Sequence, residues 1–142
     1  MRAPTVIRTV LDTNATAVLG RVALTAAYGW SGVSKLAHFG DAIAEVRHFG
    51  LEPATFIAAL TILVQIGGSV LVIAGRAVWL GAGALAVFTL LATIIAHAFW
   101  SAPAADRALV LNTFLEHIGL IGGFVLTAIL MTPPQAERST RT

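Results

Sequence analysis

The chain has no cysteine and few charged residues, and these two absences exclude several classes of protein. None of its 142 residues is cysteine, and only 11% are Asp, Glu, Lys or Arg. Without cysteine the chain has no disulfides, no thiol redox chemistry and no thiolate metal ligands. The net charge of +2 is small and scattered along the chain, so we expect no nucleic-acid partner.

The low charge also argues against a water-soluble fold. A soluble domain has about 25% charged residues, whereas this chain is 57% hydrophobic and has a mean hydropathy of +0.85. A core of this size could not hide so much apolar surface from water. We therefore expect the apolar runs to face a lipid bilayer, in an all-α membrane protein.

Four apolar runs are long enough to cross a bilayer as helices. Each run has one polar or small stripe at helical spacing on an otherwise apolar circumference, which predicts a polytopic bundle of four packed helices. The four helices form one transmembrane domain over 17–131. Their predicted ranges are 17–36, 54–74, 77–100 and 108–131.

The remaining segments are polar. The stretch 38–52 is predicted to be a short amphipathic helix in the membrane interface. Residues 1–16 lack the features of a signal peptide and are predicted to be an N-terminal tail, either flexible or forming a short helix on the membrane surface. Residues 132–142 are predicted to be a solvated C-terminal tail. Six of the nine Lys and Arg residues lie in the tails, early in the first run or in the second-to-third connection, which predicts cytoplasmic termini.

A weak internal repeat is visible at an offset of 55 residues. The segment 66–71 (IGGSVL) recurs as 121–126 (IGGFVL), and Gly20-Arg21 recurs as Gly75-Arg76. Two matches at one offset suggest a duplicated two-helix hairpin, whose copies would be related by an axis along the membrane normal.

Glu116 and His117 stand side by side within the fourth run. An intramembrane acid costs about 2.5–3.5 kcal/mol on insertion scales and usually faces a bundle interior, a cavity or a partner. Counted from Arg107, Glu116 lies about 13 Å below the outer surface, and Gln65 lies about 18 Å below it counted from Pro53. We therefore expect one polar layer in the outer half of the bundle.

Two roles for this layer stay open, a structural tie between helices or a site for a small molecule or a proton. We expect His97 to hydrogen-bond with Glu116, Asn112 or Lys35. A haem or metal is not expected, because His117 is about 15 Å deep whereas His97 lies near the end of its helix. The predicted members of the layer are Lys35, Gln65, His97, Asn112, Glu116 and His117.

Arg21 and Arg76 lie near the cytoplasmic ends of their predicted helices. Long basic side chains at helix ends extend towards the headgroups while their aliphatic stems stay in apolar surroundings. We interpret both residues as lipid-headgroup anchors.

A series of short motifs resembles the DoxX family of small bacterial membrane proteins. The motifs run in order through roughly 20–130 and comprise Arg21, Gly32-Val-Ser-Lys35, Phe49-Gly-Leu-Glu-Pro53, Gly67-Gly68, Gly75-Arg76, His97-Ala-Phe-Trp100 and 114–123. The resemblance implies four transmembrane helices in a bacterial cytoplasmic (inner) membrane. Members of the family have been linked to membrane redox systems, including a subunit of a thiosulfate:quinone oxidoreductase.

The chain departs from this family pattern at two points. Relatives typically carry Glu where Gln65 stands, and often Lys-Asn where Glu116-His117 stands. A role that rests on the usual acid of the second helix therefore does not carry over to this chain.

Two functional classes follow, and whether the chain is an enzyme stays open, since no catalytic residue stands out. In the first, it is a subunit or partner of a membrane redox system and binds a quinone or lipid-like molecule at the polar layer. The expected aromatic neighbours of that ligand are Trp30, Phe99 and Trp100. In the second, it is a membrane scaffold or assembly protein whose polar layer only fixes helix register. The sequence leaves open whether it forms a homo-oligomer.

Overall fold

A computed structural model describes residues 4–132, and this part of the chain is all-helical, with no strand. The predicted C-terminal tail beyond Thr132 and the first three residues lie outside the described range. The six helices are α1 (Thr5–Leu11), α2 (Asn14–Ala37), α3 (Phe39–His48), α4 (Ala54–Ala74), α5 (Val78–Ala96) and α6 (Arg107–Met131).

Helix ends follow local sequence signals. The Thr13 side chain accepts a hydrogen bond from the Thr16 backbone N–H at 3.1 Å, which caps the start of α2. Gly75 ends α4 in the left-handed conformation, with φ of 69°, a backbone geometry that glycine adopts without steric cost. The α3 helix lies in the predicted interfacial segment and is separated from the end of α2 by the single residue His38.

Three of the described helices are long and apolar enough to cross a membrane, namely α4, α5 and α6. They have 21, 19 and 25 residues. The α2 helix is as long, with 24 residues, but it has a polar first turn and contains Arg21 and Lys35. It is not among the three.

The long helices pack side by side in the order α2, α4, α5, α6. Glycines allow two of these contacts to be close. A Cβ on Gly68 of α4 would lie 2.8 Å from the Leu85 side chain of α5, and one on Gly81 would lie 2.8 Å from the Gly68 carbonyl oxygen. A Cβ on Gly32 of α2 would likewise lie 2.7 Å from Ile66 of α4. Small residues thus permit close helix approach, as is usual between membrane helices.

Two ends of the molecule can be named from the connections. The turn end holds the α4–α5 turn, where the Arg21 guanidinium lies against Gly75 and the Met131 side chain approaches it. The α2 helix also contacts α6 towards this end, where Leu24 lies close to Gly123. The loop end holds α3 and the loop 97–106. A small core lies between these ends, formed by Tyr28, Val72, Val78, Ala82, Leu85 and Phe124.

The α5 helix ends at Ala96, four residues before the predicted end at Trp100. His97 is its C-cap, and 98–106 form turns. These turns fold back along the start of α6, where the rings of Phe99 and Trp100 lie 5.2 and 6.2 Å from that of Phe114. Aromatic packing therefore takes the place of the last predicted helical turn.

Candidate ligand-binding cavity

A cavity of about 1010 Å³ lies among the helices and reaches the loop end. Typical ligand pockets occupy roughly 300–1,000 Å³ and are mostly apolar with a few polar groups. This cavity has the same character, because aliphatic and aromatic side chains form most of its wall. Its polar lining comprises Tyr28, Ser31, Lys35, Glu45, Thr61, Gln65, Thr89, His97 and His117.

Tyr28 joins opposite sides of the cavity wall. Its hydroxyl lies 2.6 Å from Oγ1 of Thr89, and Thr89 in turn donates to the Leu85 carbonyl. A threonine hydroxyl has one hydrogen, so Tyr28 is the donor in the bond between α2 and α5. The Tyr28 ring also packs edge-on against Phe124 with ring centroids 5.3 Å apart. Tyr28 therefore fixes α2 against both α5 and α6.

Gln65 places an unsatisfied polar atom in this wall. The residue is only 4% exposed, and its Oε1 has no hydrogen-bond partner within residues 4–132. A buried polar atom without a partner costs about 1–3 kcal/mol. The cost would be offset by a ligand or a water molecule that donates a hydrogen bond to Gln65.

His97 and His117 form a second polar group in the cavity wall, at the loop end. The two rings meet edge-to-face with centroids 4.8 Å apart. Nδ1 of His117 lies 2.7 Å from Oγ1 of Thr93, whose own hydrogen goes to the Thr89 carbonyl. His117 is therefore the donor, and its Nδ1 carries a proton. Nδ1 of His97 is buried without a partner among the described residues.

Lys35 of α2 pairs with Glu45 of α3 at the cavity rim. The sequence places Lys35 in one polar layer with Glu116, whereas the structure pairs Lys35 with Glu45. Among the described residues that line the cavity these are the acidic and basic side chains, so its lining carries no unbalanced formal charge apart from the histidines.

The wall of the cavity continues onto the outside of the molecule. Exposed apolar side chains of α4 and α5 form part of it, which opens the cavity sideways between these two helices. They include Leu60, Leu80, Val87, Leu91 and Ile95. The α3 side chains Ala42, Glu45, Val46 and Phe49 cover it at the loop end.

Two predicted members of the polar layer lie elsewhere, since Asn112 and Glu116 are exposed and do not line the cavity. The bond from His117 to Thr93 sets Glu116 level with the last turn of α5, so roughly two turns of α6 extend beyond the end of α5. The predicted depth of 13 Å is counted from the start of α6, whereas the neighbouring α5 ends about one turn from the level of Glu116. The predicted depth difference between the histidines was wrong for the same reason.

The predicted aromatic neighbours of a ligand also lie outside the cavity. Trp30 is 78% exposed and Trp100 57% exposed, and neither they nor Phe99 line it. Trp30 lies on the exposed side of α2, while Phe99 and Trp100 belong to the folded-back loop. The aromatic side chains that do line the cavity are Tyr28, Phe49, Trp79 and Phe88.

Of the two predicted anchors, Arg76 is exposed and Arg21 is half-buried. Nε of Arg21 donates to the Ala17 carbonyl at 3.2 Å, and its guanidinium lies against Gly75. Arg21 therefore lies at the turn end, as predicted for an anchor, and it also packs on the α4–α5 turn. No group of three or more His, Asp or Glu suited to a metal ion occurs within the described range.

A family model described as DoxX matches residues 16–98, more than half of the chain. The chain belongs to the DoxX family. The comparisons with curated proteins and with solved structures returned no match. Together with three helices apolar enough to span a bilayer, family membership makes this DoxX protein a multi-pass membrane protein.

Sequence reasoning missed Tyr28, Thr89 and Thr93 as parts of the site. Tyr28 and Thr89 lie at helical spacing on the predicted packing stripes, and Tyr28 is the single tyrosine of the chain. A lone buried tyrosine needs a hydrogen-bond partner, and this was the signal in the DoxX sequence that could have identified the pair.

Proposed function

We propose that this DoxX protein binds a lipid-soluble molecule, such as a quinone or another lipid-like compound, in the cavity between α2, α4 and α5. The observation that carries the proposal is Gln65, which is buried in the cavity wall with an unpartnered Oε1. Such an atom favours a ligand whose polar head donates a hydrogen bond, as the hydroxyl of a reduced quinone does, and the sideways opening favours entry from the bilayer. His97 and His117 supply further hydrogen-bonding groups.

We propose further that the protein serves a membrane redox system as a subunit or partner. The support is its membership in a family whose members have been linked to such systems. A quinone in the cavity would provide the link. A non-redox lipid there would leave the binding function intact and remove the redox role.

The test is mass spectrometry of every small molecule retained when the protein is extracted together with its native lipid. We expect a near-stoichiometric species in the wild type that is lost from Gln65→Leu, since leucine fills a similar volume without an amide. Glu116→Gln is the matched control, because Glu116 is exposed outside the cavity and its variant should retain the species. Equal retention by all three proteins would contradict a site at Gln65, and the absence of any retained species from the wild type would favour the scaffold alternative.

We also propose that four helices cross the bacterial cytoplasmic membrane, with the turn end in the cytoplasm. The supporting facts are the 24-residue length of α2 and the approach of Met131 to Gly75 at the turn end. The chain has no cysteine, so single cysteines can report topology. A membrane-impermeant maleimide should label Ala104→Cys in intact cells, and Asp12→Cys and Arg76→Cys only after lysis. Labelling of both Asp12→Cys and Ala104→Cys in intact cells, with Arg76→Cys still protected, would show that α2 does not cross.

The proposed hairpin duplication has one structural correlate. In both repeated Gly-Gly pairs the first glycine, Gly67 or Gly122, has no neighbour within 4 Å of a built Cβ. The second glycine is approached by another helix, Gly68 by Leu85 and Gly123 by Leu24. Equivalent packing roles are what a duplication would leave, and alanine substitutions at the four positions test the equivalence.

A further inference from the structure

We infer that the occupant of the cavity is a neutral lipid with a single chain longer than one leaflet, the class to which long prenyl compounds belong. This rests on the proposed binding function and narrows its ligand. Three observations carry it, namely the length of the cavity wall, the balance of charge along it and the open space beside Gly83.

The cavity wall follows α5 over nearly its whole length. Residues of this helix line it from Trp79 at the turn end to His97 at the loop end, which is about 27 Å at 1.5 Å per residue. The hydrocarbon core of a bilayer is about 30 Å thick, so the acyl chains of each leaflet cover about 15 Å. A ligand chain that extends along the whole cavity must therefore be longer than a phospholipid acyl chain.

The polar groups of the wall suit a neutral head. The Lys35 ammonium is paired with the Glu45 carboxylate, which leaves no lysine or arginine of the lining free to neutralise a phosphate. A charge brought into a mostly apolar site without a partner is strongly disfavoured. Gln65 Oε1 instead requires a hydrogen-bond donor, and an uncharged hydroxyl supplies one.

Gly83 leaves open space in the cavity where the lipid chain would pass α5. It lines the cavity, and a Cβ built on it would meet no atom within 4 Å. A leucine there would project into the cavity without disturbing the helix packing. Gly122 on the exposed face of α6 is equally open but does not line the cavity, so it offers a matched control.

The test uses the full chain in phosphatidylcholine nanodiscs and four probes, namely a long prenyl alcohol, its phosphate monoester, a short prenyl alcohol and phosphatidylglycerol. Because a ligand of the folded state raises its melting temperature, we expect the long alcohol to raise Tm. At equal concentration the other three probes should not. Gly83→Leu should lose the rise with the long alcohol, whereas Gly122→Leu should keep it.

The outcomes separate this inference from the binding function on which it rests. A rise in Tm with the phosphate ester or phosphatidylglycerol equal to that with the alcohol would overturn the neutral head. Equal rises in Tm with the short and long alcohols would contradict the inference that the ligand has a long chain. A rise in Tm of Gly83→Leu as large as that of the wild type would contradict it as well. In each of these cases lipid binding itself would survive. If no probe raised Tm and no species were retained from native lipid, both proposals would fall.

Discussion

His117 donates from Nδ1 to Oγ1 of Thr93 at 2.7 Å, and this bond joins the two most closely associated helices of the molecule, α5 and α6. Thr93 itself donates to the Thr89 carbonyl, so the imidazole is held at the end of a short chain of hydrogen bonds. The same bond aligns His117 with His97 in the cavity wall. One threonine thus sets both helix register and the position of a candidate ligand-binding group.

Thr93→Val should weaken the α5–α6 contact, because it removes the acceptor of the His117 N–H without changing side-chain shape. Interhelical hydrogen bonds in membranes contribute on average about 0.6 kcal/mol and at most about 1.7 kcal/mol. We expect a loss in this range in the free energy of unfolding, measured by denaturant titration in mixed micelles. Thr127→Val is the control, since Thr127 donates only to Gly123 of its own helix. An equal loss in the two variants would show that the bond does not couple the helices.

The helical architecture could be predicted from the sequence, whereas the position of the site could not. Hydropathy and the small-residue stripes identify long helices because lipid exposure imposes them locally. The predicted starts of α4 and α5 lie within one residue of those observed. Local patterns of this kind report on one helix at a time.

The depth of Glu116 depends on how one helix lies against another, and the sequence carries no local signal for it. Sequence counting placed Glu116 in an interior polar layer because it assumed that every helix begins at the membrane surface. In the structure α6 extends beyond α5, and Glu116 is exposed. One cavity is nevertheless lined by four predicted members of the layer, namely Lys35, Gln65, His97 and His117. Hydrophobic periodicity identifies the helix face on which each residue lies, but it does not show which faces of different helices meet.

Reversing the Lys35–Glu45 pair tests whether it holds α3 over the cavity. The side chains are 21% and 52% exposed, and partly exposed pairs contribute about 0.2–1 kcal/mol. Lys35→Glu and Glu45→Lys should each lower the free energy of unfolding, and the double reversal should recover part of the loss. Salt should reduce this coupling.

The Arg47–Glu52 pair offers the matched control for that cycle. Its atoms are 3.7 Å apart and its side chains are 63% and 67% exposed, so the same reversal there should give a coupling near zero. Hydrogen exchange of α3 amides provides the second measurement. Faster exchange in Lys35→Glu but not in Arg47→Glu is expected, and identical exchange in both would remove the proposed role of the pair.

Gly75→Ala should destabilise the turn end for two separable reasons. Its φ of 69° is left-handed, which costs a residue with a Cβ about 1–2 kcal/mol. The new Cβ would also collide with the Arg21 guanidinium. Adding Arg21→Ala should therefore restore only the part that comes from the collision, as measured by thermal unfolding. Gly20→Ala, at an open helical position, should show no loss; a loss equal to that of Gly75→Ala would contradict this account.

Alanine substitutions in the two Gly-Gly pairs should have unequal effects within each pair. At Gly68 a new Cβ would lie 2.8 Å from Leu85 Cγ and 3.2 Å from the Gly81 carbonyl oxygen, and overpacking of this kind costs about 1–3 kcal/mol. At Gly123 the nearest atom is a flexible end of Leu24 at 3.0 Å, so the cost should be smaller.

The first glycine of each pair supplies the control for the second. Gly67→Ala and Gly122→Ala meet no atom within 4 Å, and alanine is the better helix former by about 1 kcal/mol, so neither should destabilise. Chemical unfolding in micelles would rank the four variants. A loss at Gly67 as large as that at Gly68 would show that the close α4–α5 approach is not what selects glycine there, and would remove the structural support for the duplicated hairpin.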